Sequence, residues 1–261
     1  MNEEFKYDDI AGMIDHALLH PTLSTKELEN GCNMAAAYGT ATVCVKPCDV
    51  EQAAKNLKSA KTTVCTVIGF PHGVNLTEVK VLETQRACEQ GASEVDMVIN
   101  TGRVMSGDWK FVEEDIRAVC ETAHSYNSRL KVIFENDYLN KGGSGLSRKE
   151  MIQKLCQICE DAGADWVKTS TGFGFVKQVD GSTGTLGATQ EDVSTMVNAC
   201  TRGTQVKAAG GVKDLTTLLK MRKIGATRIG TSSTQGILDE CRKILALPPI
   251  SMDIDSTSSE Y

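Results

Sequence analysis

The sequence predicts an α/β chain folded as a single-domain (β/α)8 TIM barrel, and three observations carry that expectation. Eight short runs rich in β-branched and apolar residues alternate with helical patterns, the signature of βα units around a parallel sheet. The 261 residues suit one such barrel, which commonly forms a single domain. Three of the runs open with the same device: Gly91-Ala92-Ser93, Gly163-Ala164-Asp165 and Gly225-Ala226-Thr227. In each, a glycine able to take positive φ ends a helix and turns the chain back into the sheet, a weak internal repeat of like units. Spacing alone equally allows three independent loops of an open sheet.

The expected strands are 14–19 (IDHALL), 41–47 (ATVCVKP), 63–70 (TVCTVIGF), 94–100 (EVDMVIN), 129–136 (RLKVIFEN), 165–170 (DWVKTS), 205–210 (QVKAAG) and 226–232 (ATRIGTS). Helix starts are marked by Ser24 before Glu27, Ser147 before Glu150 and Thr189 before Asp192, capping boxes or close variants of them. The barrel is expected over 1–247. Residues 248–261, short of apolar side chains, are expected to form a flexible polar C-terminal tail.

Composition excludes several classes of function. Hydrophobic residues at 41% and charged residues at 24% supply a globular core. A net charge of −6 with no basic run argues against nucleic acid, whose phosphates need clustered Lys and Arg. No apolar run approaches the roughly 20 residues that span a bilayer, and the N-terminus is acidic where a signal peptide is basic and then apolar. No membrane partner and a cytoplasmic location are therefore expected. The ten cysteines are scattered through strands and helices, which fits reduced, mostly buried thiols rather than a disulfide framework. Cys156 and Cys159 share one face of a helix, and no second pair or nearby His completes a tetrahedral metal set, so no metal is expected.

Side chains alternate between the barrel interior and the surrounding helices, so a charge flanked by apolar neighbours faces inward. In EVDMVIN, Val95, Met97 and Ile99 face the helices while Asp96, Val98 and Asn100 face the interior. Val167 and Val206 point outward, and Lys168 and Lys207 point in, near the C-terminal ends of consecutive strands where barrel enzymes place their chemistry. Two ammonium groups on strands about 4.8 Å apart repel each other, and burial penalises both, so at least one lysine is expected to lose its proton more easily. A neutral lysine is a nucleophile, and Asp96 can pair with the remaining cation and relay protons. A buried ion network kept for structure is the bland alternative.

Glycines and hydroxyls gather at the same end: 169–172 after the sixth strand, Gly210 and Gly211 after the seventh, and 230–233 after the eighth. Exposed backbone N–H groups on these loops form a cradle for phosphate, so a phosphorylated small molecule is the expected substrate.

IDHALL, VCTVIGFP, EVDMVIN, SGDW, VEEDI, VKTSTGFG, VKAAGGV and GATRIGTSS, in this order from about Ile14 to Leu245, closely resemble the 2-deoxyribose-5-phosphate aldolases. These are class I aldolases that interconvert deoxyribose 5-phosphate with glyceraldehyde 3-phosphate and acetaldehyde without a cofactor. The resemblance implies Lys168 as the Schiff-base nucleophile, Lys207 as its pKa-lowering neighbour and Asp96 as proton relay. It implies Gly172, Gly210, Gly211, Gly230, Ser232 and Ser233 as phosphate contacts, Asp15 and Thr169 as supports, and Cys44 as a lining residue. It further suggests that the terminal Tyr261 folds over the site to assist proton transfer.

Some positions depart from the family pattern: Lys46 stands in place of Asn, and His20 in place of a common Lys. The loop after Lys168 is longer than usual, which puts phosphate contacts there in doubt, although Lys177 could add one. Lys46 adds a cation near the rim that could alter acceptor preference. A homodimer is the expected assembly, although the residues do not settle it. Another phosphosugar-processing barrel enzyme and a catalytically silent phosphosugar-binding protein remain open as rivals. Removing Tyr261 is expected to slow exchange of the methyl protons of acetaldehyde with solvent, followed by NMR; an unchanged rate would take the residue out of the mechanism.

Overall fold

Apolar and polar side chains alternate along most of the strands, and the fold separates them onto the two faces of one closed sheet. A computed structural model describes residues 5–139, 144–177, 181 and 183–251. The barrel strands are β1 (Ile14–Leu18), β2 (Thr42–Val45), β3 (Thr63–Ile68), β4 (Glu94–Val98), β5 (Arg129–Ile133), β6 (Trp166–Lys168), β9 (Gln205–Ala209) and β10 (Arg228–Thr231). A short antiparallel pair, β7 (Val176–Lys177) and β8 (Thr183–Gly184), lies in the connection between β6 and β9. The eight barrel strands are parallel and close in the order β1-β10-β9-β6-β5-β4-β3-β2. All eight expected strands are present.

The helices are α1 (Tyr7–Ala11), α2 (Thr25–Tyr38), α3 (Val50–Asn56), α4 (Thr77–Glu89), α5 (Thr101–Met105), α6 (Trp109–Ser125), α7 (Arg148–Ala162), α8 (Gln190–Ala199), α9 (Leu215–Ile224) and α10 (Thr234–Ile244). Among the described residues no helix is long and apolar enough to cross a membrane. Ser24 and Ser147 each close a reciprocal capping box with Glu27 and Glu150, and the Thr189 side chain accepts from the Asp192 N–H. Gly163 ends α7 in the left-handed region at φ 84°, as its place before β6 predicts.

The main core lies between sheet and helices. Val95, Met97, Ile99, Leu130, Val132, Phe134, Val167, Val206 and Ile229 all belong to it, which puts their strand neighbours inside the barrel. Strand ends fall short of the sequence estimate: β6 stops at Lys168, and the Thr169 hydroxyl that follows bonds the backbone of Ala209. At the C-terminus, Ile250 still packs against the core and Arg242 donates to the Pro248 carbonyl at 2.8 Å, so the first residues of the expected tail belong to the packed body. Tyr261 lies outside the described residues.

One buried ion pair ties two helices to the sheet. Lys80 of α4 reaches Asp115 of α6 at 2.6 Å and the Val98 carbonyl at the end of β4 at 2.9 Å, with both side chains out of water. Burial pushes the Lys80 ammonium down, and Asp115 opposes it. Lys80→Met would leave Asp115 buried and uncompensated, at a cost of about 3–5 kcal/mol. The expected readout is a lower urea midpoint at unchanged slope; an unmoved midpoint would show that the pair holds nothing.

Candidate active site

Inside the barrel the inward charges form a column of alternating sign. At its base Glu94 accepts from Arg228 at 2.9 and 3.1 Å and pairs with Lys131 at 2.6 Å, while Arg129 reaches it from the barrel's rim. Asp15 of β1 accepts from Arg228, Lys207 and the Thr42 hydroxyl, at 2.5, 2.5 and 2.7 Å. Asp96 of β4 receives Lys131 at 2.8 Å on one oxygen and both Lys168 at 2.8 Å and Lys207 at 2.7 Å on the other. Lys168 and Lys207 are register partners on adjacent strands. The inward set read from the sequence is brought together as expected.

Each of these groups except the exposed Arg129 is buried, so each buried one would be expensive alone and is retained because it is paired. Among the described residues, three buried carboxylates, Asp15, Glu94 and Asp96, face four buried cations, Lys131, Lys168, Lys207 and Arg228, with the exposed Arg129 on Glu94 as a fifth. Burial works to raise Asp96, but Lys131, Lys168 and Lys207 outweigh it and hold the carboxyl well below its usual range. Asp15 is lowered against its burial in the same way, by Lys131, Lys207 and Arg228.

Lys207 is the cation of the pair that keeps its proton. Burial lowers it, yet Asp15 and Asp96 together raise it above the ordinary lysine value. The sign is set by Asp15 on β1 together with Asp96, and not by the two lysines and one acid of β4, β6 and β9 alone.

Lys131, Glu94 and Arg228 were missed as members of the site. The signal was present: Leu130, Val132 and Phe134 mark Lys131 as inward, as Ile229 marks Arg228, by the same alternation that exposed Asp96. Ser170, fully buried beside Gly210, has a hydroxyl with no partner among the described residues.

Across from the lysines the wall is apolar. Cys44, Cys65 and Val67 form a small buried cluster with Leu19 and Phe70 against it. The Cys65 thiol, pushed up by burial, lies 3.3 Å from Asp96, and its hydrogen bond is the leading cause that lowers Cys44. Donor atoms of Cys44, Cys65 and Asp96, and of Asp15, Cys65 and Glu94, lie within 4.8 Å of one another. Lys131 already occupies both groups, 3.3 Å from Cys65, 2.8 Å from Asp96 and 2.6 Å from Glu94, so a metal ion there would meet an ammonium.

The expected phosphate residues gather at the C-terminal ends of β6, β9 and β10. Gly172, Gly210 and Gly211 take φ of 84°, 91° and 78°, conformations that favour glycine. Gly230 has a second reason to lack a side chain: a Cβ there would lie 3.2 Å from Lys207 Cε and 2.9 Å from Ala209 Cβ. Ser232 and Ser233 follow β10 at the N-terminus of α10. Thr169 Oγ1 donates to the Ala209 carbonyl at 2.9 Å and accepts from its N–H at 3.0 Å, which locks β6 to β9. Of the atypical residues, Lys46 is tied to the Leu23 carbonyl at 3.2 Å and Asp49 at 3.3 Å, His20 bonds Thr22 at 2.8 Å, and Lys177 sits exposed on β7.

A closed parallel barrel with a lysine pair and a shared carboxylate at its mouth defines a class: a lysine-centred (β/α)8 enzyme. A family model described as DeoC/LacD family aldolase matches residues 10–238. A deoxyribose-phosphate aldolase of Rhodopirellula baltica is 41% identical over 256 residues, covering 98% of each chain. One from Clostridium perfringens is 44% identical over 230 residues, covering 88% of this chain and 94% of the other. The tetrameric deoxyribose phosphate aldolase of Aeropyrum pernix superposes with a TM-score of 0.79 at 28% identity, over 92% of this chain and 93% of that one. The chain belongs to the DeoC/LacD aldolase family and is an aldolase, a carbon–carbon lyase.

The column also sets a pH window. Asp15 and Asp96 are lowered in the folded state, so their stabilisation is complete above the usual carboxylate value of about 4 and fades as pH falls below it. Lys131 and Lys207 are raised, so theirs is complete below about 10.4 and fades as pH climbs past it. Thermal unfolding is expected to plateau between these limits and fall at both ends, with Asp15→Asn flattening the acid limb. A melting temperature that held steady down to pH 2 would contradict the pairing.

Proposed function

We propose that this aldolase reversibly cleaves 2-deoxy-D-ribose 5-phosphate to D-glyceraldehyde 3-phosphate and acetaldehyde, through a Schiff base on Lys168. The observation that carries the reading is the single Asp96 oxygen shared by Lys168 and Lys207 at the mouth of the barrel. The relatives' names and the glycines on the adjacent loops support it.

Schiff-base formation requires the Lys168 amine without its proton. Among the described residues, Lys168 is the lysine of the column paired with a single carboxylate, and it is the last residue of β6. The freed amine adds to C1 of the open-chain sugar, and the carbinolamine loses water to form an iminium. The C3 hydroxyl then gives up its proton while the C2–C3 bond breaks, and the electron pair moves into the enamine on Lys168. Glyceraldehyde 3-phosphate departs. The enamine takes a proton at C2, and hydrolysis releases acetaldehyde. The chemistry calls for no cofactor.

Lys207 is the fixed positive charge beside the reacting nitrogen, and Asp96, in contact with both amines, is the proton relay. Asp15 positions Lys207, and Thr169 fixes the end of β6. Cys44 lines the apolar wall that faces the two-carbon donor. Gly172, Gly210, Gly211, Gly230, Ser232 and Ser233 hold the phosphate with backbone N–H groups, hydroxyls and the α10 N-terminus. A homo-oligomer, with the homodimer as its smallest form, is part of the proposal; Leu76, Val79 and Leu82 give the start of α4 an exposed apolar stripe that assembly would cover.

Borohydride with acetaldehyde is expected to reduce a Schiff base onto the peptide carrying Lys168 and to inactivate the enzyme. Lys168→Ala should abolish both labelling and cleavage, and Lys207→Met should lower kcat by about 10²–10⁴-fold. Label on any other lysine, or turnover by Lys168→Ala, would overturn the assignment.

A further inference from the structure

The turn that follows β5 carries two buried acids and a tyrosine that the mechanism leaves unused. Glu135 and Asp137 are 1% and 2% exposed, and Glu135 is a non-glycine residue in the left-handed region at φ 51°. Such a conformation persists only where its surroundings over-determine it. Acidic side chains at that depth need partners, and the long connection after Lys168 supplies hydrogen bonds to both.

Glu135 accepts from the Thr171 N–H, 3.3 Å from each carboxylate oxygen, and from the Thr171 hydroxyl. Tyr138 Oη accepts from the Phe175 N–H at 2.7 Å. Asp137 Oδ2 accepts from the N–H groups of Leu186 and Gly187 at 2.9 and 3.2 Å. One turn thus holds the connection near its start, further along, and at its end.

Both acids act one step from the phosphate glycines. Thr171 is followed directly by Gly172. Gly187 packs on Gly210 so closely that a Cβ would fall 2.5 Å from the Gly210 carbonyl, which also accepts from the Ala188 N–H at 3.0 Å. Glu135 therefore seats one flank of the cradle and Asp137 the other.

We infer that Glu135, Asp137 and Tyr138 are positioning residues for phosphate recognition: they fix the two ends of the connection, at Thr171 to Phe175 and at Leu186 and Gly187, before substrate arrives and so set the preference for a phosphorylated sugar. The inference rests on the phosphate reading above. Without the clamp, ordering the loop must be drawn from phosphate binding, which raises KM. A sugar without phosphate does not use the cradle and is largely spared.

The test compares kcat/KM for 2-deoxyribose 5-phosphate and for 2-deoxyribose in the wild type, Asp137→Ala, Asp137→Asn and Tyr138→Phe, with thermal unfolding of each. Asp137→Ala is expected to lower the ratio of the two kcat/KM values by about 10- to 100-fold, through KM for the phosphorylated sugar. Asp137→Asn keeps one acceptor oxygen and should recover most of the ratio. Should Asp137→Ala fail to fold, Tyr138→Phe, which loses only the acceptor for Phe175, reads the same ratio and should lower it severalfold. Equal losses on both sugars, or an unchanged ratio in the variants, would overturn the inference while leaving the phosphate reading intact. A wild type with no preference for the phosphorylated sugar would overturn both.

Discussion

The enzyme is organised around a column of ions sealed inside a barrel. Each charge there would cost several kcal/mol if left alone, so the column survives only as a complete set in which Glu94, Asp15 and Asp96 alternate with Arg228, Lys131, Lys207 and Lys168. Much of the interior answers to that requirement. Gly230 gives up its side chain so that Lys207 can pass, and Thr42 turns its hydroxyl to Asp15. Lys168, the amine proposed to react, is the last member and pairs among the described residues with Asp96 alone of the carboxylates.

Such a column separates two jobs that crowding between two amines would merge. Lys207 is held cationic by two acids, which would keep a constant positive charge beside Lys168, the nitrogen of the proposed Schiff base. Asp96 touches both amines, so a proton moving between them need not leave the site. The apolar wall of Cys44, Cys65, Val67, Leu19 and Phe70 faces this charge, and the loops after β6, β9 and β10 supply polar backbone at the mouth. In the proposed reaction a small apolar donor end and an anionic tail would thus fall to different elements.

Much of this was legible in the residues. Period-two alternation placed eight strands and turned Asp96, Lys168 and Lys207 inward, because a parallel barrel strand buries one face against helices and the other against its own interior. Ser24 and Ser147 marked their helices, since an N-cap is a local exchange of hydrogen bonds. Lys131 and Arg228 carried the same mark as Asp96 and were passed over. The direction of the Lys207 shift was not legible, because its sign depends on Asp15, a residue 192 positions away in the chain.

By itself, then, the sequence determined the barrel, the facing of its charges and the local caps, all of which follow from backbone periodicity and contacts a few residues apart. The tertiary structure decided how many acids surround each lysine, which amine is left with a single partner, and that the turn after β5 grips the connection that follows β6. Those features depend on which strands become neighbours when the sheet closes. Energies of buried charges are set by distances of a few ångströms across that closure, and no one-dimensional pattern records them.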